Sequence, residues 1–133
     1  MPYPSSPENV QTAAAGVSDA VHRLAVLRYG QDRWNAGRID TEIGQVKAWA
    51  ERYGVPVICD EFGVYRKNAD PKDRIAWLTD VRNALEKRGI GWAMWEYHNG
   101  FGVVTLEGGH SVPDEATLRA LGLSHTKPLG FRK

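Results

Sequence analysis

At 133 residues the chain is long enough for one small domain with a core. Its 17 Lys and Arg nearly cancel 16 Asp and Glu, a net charge of +1 that offers neither a nucleic-acid footprint nor a charged membrane-binding face. No apolar run approaches the roughly 20 residues needed to cross a bilayer, and the opening "MPYPSSPENV" lacks the basic-then-apolar pattern of a signal peptide.

In chain order, Ser6 before Pro7 and Glu8 predicts a helix start. "SDAVHRLAVLRYG" predicts a second helix, capped by Ser18 and stopped by Gly30. In the next segment Ile39, Ile43, Val46, Ala50 and Tyr53 fall on one face of a helix that Gly54 ends. Residues 55–60 are rich in Val and Ile and read as a buried strand. Cys59 lies in that run. As the single cysteine it excludes an internal disulfide and reads as a buried structural thiol. Asp70 before Pro71 caps a further helix with Ile75, Leu78, Val81 and Leu85 as its apolar stripe and Gly89 as its stop. "IGWAMWEY" is a second apolar strand, "HNGFGVVTLEGGH" a Gly-rich loop, and a last short helix runs from about Pro113 to Leu121. The tail "SHTKPLGFRK" is polar and expected to fray.

Two strands joined through one amphipathic helix form a right-handed βαβ unit, hence a parallel pair in an α/β protein. Two parallel strands are not a domain. Their continuous apolar character requires cover on both faces. The chain is therefore expected to be part of a larger barrel or sheet, or to self-associate to complete one.

Both strands end in acid, and α/β proteins place their sites at the C-terminal ends of parallel strands. The candidates are Asp60, Glu61, Glu96, Tyr97 and His98, with Trp95 beside them and Tyr65 and Arg66 in the following loop. Alternation along a strand sends Asp60 and Glu61 to opposite sides. Trp92 and Trp95, three apart, also face opposite sides, one for packing and one for the interior. As bare residues each has an ordinary reading: Glu61 as a strand-end carboxylate paired to an arginine, Asp60 in a turn or ion pair, Glu96 and His98 as loop polars. CxxC, HExxH, GxGxxG and Walker patterns are absent, so no metal or cofactor is expected.

"PVICDEFG" followed by "GIGWAMWEY" resembles the C-terminal part of glycoside hydrolase family 5, the cellulase family of (β/α)8 barrels. "RWNAGRIDTEIGQVKAWAERYGVPVICDEFGVYR" extends the resemblance, so that it covers nearly the whole chain, with "PYPSSPENV" in the region after strand six. The resemblance implies a partial TIM barrel, its last strands and helices, with residues 1–133 as one C-terminal fragment. It implies that Glu61 is the catalytic nucleophile on strand seven and that Trp95, on strand eight, floors the sugar subsite beside the cleaved bond. Tyr97, His98 and the loop "NGFG" are expected to line the cleft.

The implied partner is a β-glucan polysaccharide or oligosaccharide, cut with retention of configuration. Such chemistry needs two carboxyls about 5–5.5 Å apart, one attacking and one donating the proton. The family's Asn-Glu pair on strand four has no counterpart in this sequence. The expectation is therefore a nucleophile half, inactive alone and completed by the rest of a barrel or by further copies. The alternative is a non-catalytic α/β piece that self-associates or binds glycan through its tryptophans. Members of the family are often secreted or periplasmic; localisation of this chain is left open.

Overall fold

The computed structural model describes residues 1–123; the polar tail from Ser124 lies outside the described residues. The order of elements is α1 (Gln11–Ala15), α2 (Ala20–Gln31), α3 (Ala36–Tyr53), β1 (Ile58–Phe62), α4 (Pro71–Glu86), β2 (Gly91–Met94), β3 (Val104–Glu107), β4 (His110–Pro113) and α5 (Glu115–Ala120). Single 3-10 turns cover Arg66–Asn68 and Asn99–Phe101.

The βαβ unit is β1–α4–β2, and the two strands pair in parallel. α4 starts where Asp70 accepts a hydrogen bond from the Lys72 amide at 2.8 Å and Pro71 presets the first turn. Leu78, Val81 and Leu85 are buried along its stripe and Ile75 packs at the edge. Phe62 from β1 and Ile90 ahead of β2 join the same core, with Ile39 from α3 and Leu121 after α5. Burying side chains of this size is worth about 1.5–3 kcal/mol each. The N-terminal segment is tied down onto α4 by the Tyr3 amide to Asp73 (3.0 Å) and the Tyr3 hydroxyl to Asp80 (2.6 Å).

The strand lies later than the sequence suggests, and of its five residues Phe62 alone is buried. Val55 precedes β1, and Ile58 is 64% exposed. β1 pairs on one edge with β2, and among the described residues nothing pairs with its other edge. On α3, Ile39 and Ala50 are buried but Val46 and Tyr53 of the same stripe are exposed.

Several local expectations change. Ser6 does not start a helix: it exchanges bonds with Asn9, amide to Oδ1 at 2.9 Å and back to Oγ at 3.2 Å, and helix begins at Gln11. Asp19, not Ser18, caps α2, because its carboxylate reaches the His22 amide at 2.8 Å. Gly30 does not stop α2. It is buried within it, where a Cβ would lie 2.7 Å from the Ser6 carbonyl oxygen, so it permits a close crossing. The Gly-rich loop contains the antiparallel hairpin β3–β4, turned by Gly108 and Gly109 with Glu107 opposite His110. The last helix starts at Glu115 behind Asp114 and is shorter than expected.

Candidate active site

β1 does not run regularly into its acid pair. Cys59 pairs with Trp92 and Phe62 with Met94, so β1 advances three residues where β2 advances two. The extra residue is a bulge at Asp60–Glu61. Clean alternation therefore does not hold across the pair, and both carboxylates are exposed. Phe62 returns to the core, 6.3 Å from the Trp77 ring and edge-on to Trp92 at 5.6 Å. The Trp95 amide then donates to the Phe62 carbonyl at 2.8 Å, which carries the strand pairing past the bulge. The Trp95–Glu96 peptide is cis.

An open cleft of about 510 Å³ forms at these strand ends, lined by Glu61, Phe62, Gly63, Trp77, Trp95 and Phe101. Two of the four site residues expected from the sequence, Glu61 and Trp95, thus share one cavity. Trp95 is 49% exposed, a flat ring open to the cleft, while Trp92 packs on Phe62 and donates to Glu86 at 3.3 Å. The other two, Tyr97 and His98, are exposed on the following loop and do not line that cavity. Their rings stand 6.3 Å apart, and His98 Nδ1 lies 3.3 Å from the Asn99 amide group, which also reaches Glu96. Among the described residues no side chain donates a hydrogen bond to the Glu61 carboxylate, and Glu61 is the one carboxylate on the cleft wall. Nor does any cluster of His, Cys, Asp and Glu among them have the makings of a metal site. Cys59 is half-buried, and burial pushes its thiol up, away from reactive thiolate.

Gly63 sits where the two loops meet. A Cβ there would overlap the Trp95 carbonyl and approach the Phe101 ring to 3.1 Å, so only glycine lets β1's loop lie against β2's. The Tyr65 and Phe101 rings meet at 5.2 Å, tilted by 52°, across the same junction.

Beneath the loops lies a group that sequence reasoning missed. Arg74, in the first turn of α4, is 3% exposed. It donates to the carbonyls of Val64 (3.1 Å), Phe101 (3.0 Å) and Gly102 (3.2 Å) and to the Thr117 hydroxyl. Asp114 balances its charge at 3.6 Å and also binds Arg66 at 2.8 Å, while Arg66 adds a second bond to the Gly102 carbonyl. Burial, and then the neighbouring Arg66 cation, pull the Arg74 guanidinium below its ordinary range. Burial alone would raise the Asp114 carboxyl. The Thr117 amide and hydroxyl, followed by Arg66, outweigh it and hold Asp114 low. In the sequence, Arg74 is indistinguishable from a solvated cation on a helix.

Known proteins resemble this chain. The family model described as cellulase, glycosyl hydrolase family 5, matches residues 12–100. Endoglucanase 3 of Fibrobacter succinogenes is 33% identical over 63 residues, which is 47% of this chain and 10% of that protein. Cellulose synthase subunit Z of Clostridioides difficile superposes with a TM-score of 0.59 at 34% identity, over 65% of this chain and 28% of that one. Thermotoga maritima Cel5A in complex with mannotriose superposes with a TM-score of 0.60 at 25% identity, over 86% of this chain and 36% of that one. The same enzyme in complex with cellobiose gives a TM-score of 0.59 at 32% identity over 65% of this chain and 27% of that one. This chain thus spans about a third or less of each relative. The parallel β1–α4–β2 unit is part of a (β/α)8 barrel.

Proposed function

The chain belongs to glycosyl hydrolase family 5, the cellulases, and from that premise we propose that it carries the nucleophile half of a retaining β-1,4-glucan hydrolase. The observation that carries this reading is the single cleft shared by Glu61 at the end of β1 and Trp95 at the end of β2.

Glu61 is the nucleophile. Its carboxylate is exposed to the cleft, as an attacking group must be, and forms a covalent glycosyl–enzyme at the anomeric carbon while the leaving oxygen takes a proton from a second carboxyl about 5–5.5 Å away. Water then attacks the intermediate, with that second carboxyl acting as base, and configuration is retained. Trp95 stacks on the C–H face of the sugar bound beside the cleaved bond. Tyr97 and His98 contact the sugar at the rim, since both are exposed on the loop adjoining Trp95. The substrate is a β-glucan. The complexes of Thermotoga maritima Cel5A with cellobiose and with mannotriose support a β-linked oligosaccharide as ligand.

The proton donor belongs to barrel segments outside residues 1–123. The open edge of β1 and the exposed Val46 and Ile58, which line one apolar pocket, support completion by further barrel units. The chain alone is then expected to release no reducing sugar from carboxymethylcellulose at high concentration, since loss of general acid catalysis alone costs about 10²–10⁴-fold. Mixed with a barrel portion bearing the strand-four Asn-Glu pair, it is expected to regain turnover that Glu61→Gln abolishes. Turnover by the chain alone, lost in Glu61→Gln, would overturn the half-site reading. Restored turnover that survives Glu61→Gln would overturn the nucleophile assignment.

A further inference from the structure

We propose that Arg74 is a positioning residue for the glycan cleft, one that fixes the Phe101 ring and the Gly63 turn relative to each other. This rests on the reading of that cleft as a glycan site, and it concerns a residue outside the cleft wall.

Arg74 is a costly residue to place where it stands. It is buried, it sits near the positive end of α4, and the Arg66 cation lies close by. A cation in that position is tolerated only when its donors are matched, and here they are. The acceptors come from two separate loops that together build the cleft. Val64 follows Gly63 on the β1–α4 loop, and Phe101 and Gly102 lie on the β2–β3 loop. The guanidinium fork spans both loops at once, a geometry that the point charge of lysine cannot reproduce. Thr117 and Asp114, at the start of α5, orient the fork from below. The Phe101 carbonyl is held directly, so the position of its ring, packed against Tyr65 and lining the cleft with Glu61 and Trp95, depends on Arg74.

The test is Arg74→Lys in the full chain, which keeps the charge and loses the fork. Amide hydrogen exchange across residues 97–104 is expected to quicken about tenfold while α3 keeps its protection. Cellohexaose affinity, read by tryptophan fluorescence, is expected to fall about tenfold with it. Unchanged exchange at 97–104, or a loss of protection spread equally over α3, would overturn the proposal. If the unaltered chain does not bind cellohexaose, the glycan reading fails and the exchange pattern alone decides the positioning role. If Arg74→Lys does not fold, Thr117→Val removes one acceptor and leaves the three carbonyls. A smaller quickening confined to 97–104 then supports the role, and none overturns it.

Discussion

The cleft wall and the clamp beneath it are neighbours along the same two loops, yet they are built on opposite rules. Gly63 lines the cleft and Val64 feeds the clamp; Phe101 offers its ring to one and its carbonyl to the other. Below, every side-chain nitrogen of the buried arginine is matched and Asp114 serves two cations. Above, the carboxylate has no side-chain donor among the described residues, and the tryptophan is half exposed. The difference teaches where one chain finishes its own work. It saturates the frame that sets loop geometry, and it leaves open the groups to which the proposed reaction assigns the substrate.

This contrast can be broken by mutation. Frame residues should cost stability and cleft residues should not. The largest loss is expected from Leu78→Ala, since Leu78 is fully buried between α4 and the strands: about 2–5 kcal/mol in urea unfolding. Arg74→Met should follow at about 3 kcal/mol, because it takes the side-chain donor from the Val64 and Phe101 carbonyls and leaves Arg66 as the one cation paired with Asp114. Asp114→Asn keeps the cap on α5 but removes the charge, and its signature lies in pH. A carboxyl held below its unfolded value contributes stability that is complete above about pH 4 and lost as pH falls through the folded value. Acid unfolding curves of Asp114→Asn should therefore be flatter below that pH than those of the unaltered chain. Trp95→Ala should weaken cello-oligosaccharide binding about tenfold, the scale of one lost ring contact, with little change in unfolding midpoint. Glu61→Gln should leave stability within about 0.5 kcal/mol. If it destabilised as much as Arg74→Met, the division between frame and cleft would be wrong.

Much of the frame is legible from residues alone. Asp70–Pro71, Gly54 and the stripe Leu78, Val81 and Leu85 mark α3 and α4, because caps and periodicity are local signals. The acid at each strand end and the parallel pairing follow from the βαβ order. The hairpin was also signalled, by Gly108–Gly109 between the apolar positions Val104, Leu106 and Val112, and a glycine-rich loop masked it. The clamp has no such signal. Its bonds join Arg74 to residues 27, 28 and 43 positions away, and only folding brings them together. The exposure of Ile58 and Val46 was equally hidden, since an apolar strand reads the same whether its neighbour is present or not.

The bulge in β1 has a consequence of a different kind. With one extra residue between Cys59 and Phe62, the placement of the acid depends on a count as much as on an identity. Substituting Asp60 leaves that count intact. Deleting it leaves one residue between Cys59 and Phe62, matching the one between Trp92 and Met94, so the ladder becomes regular and the bulge that presents Glu61 is lost. An arrangement of this kind is tolerant to exchange and brittle to length.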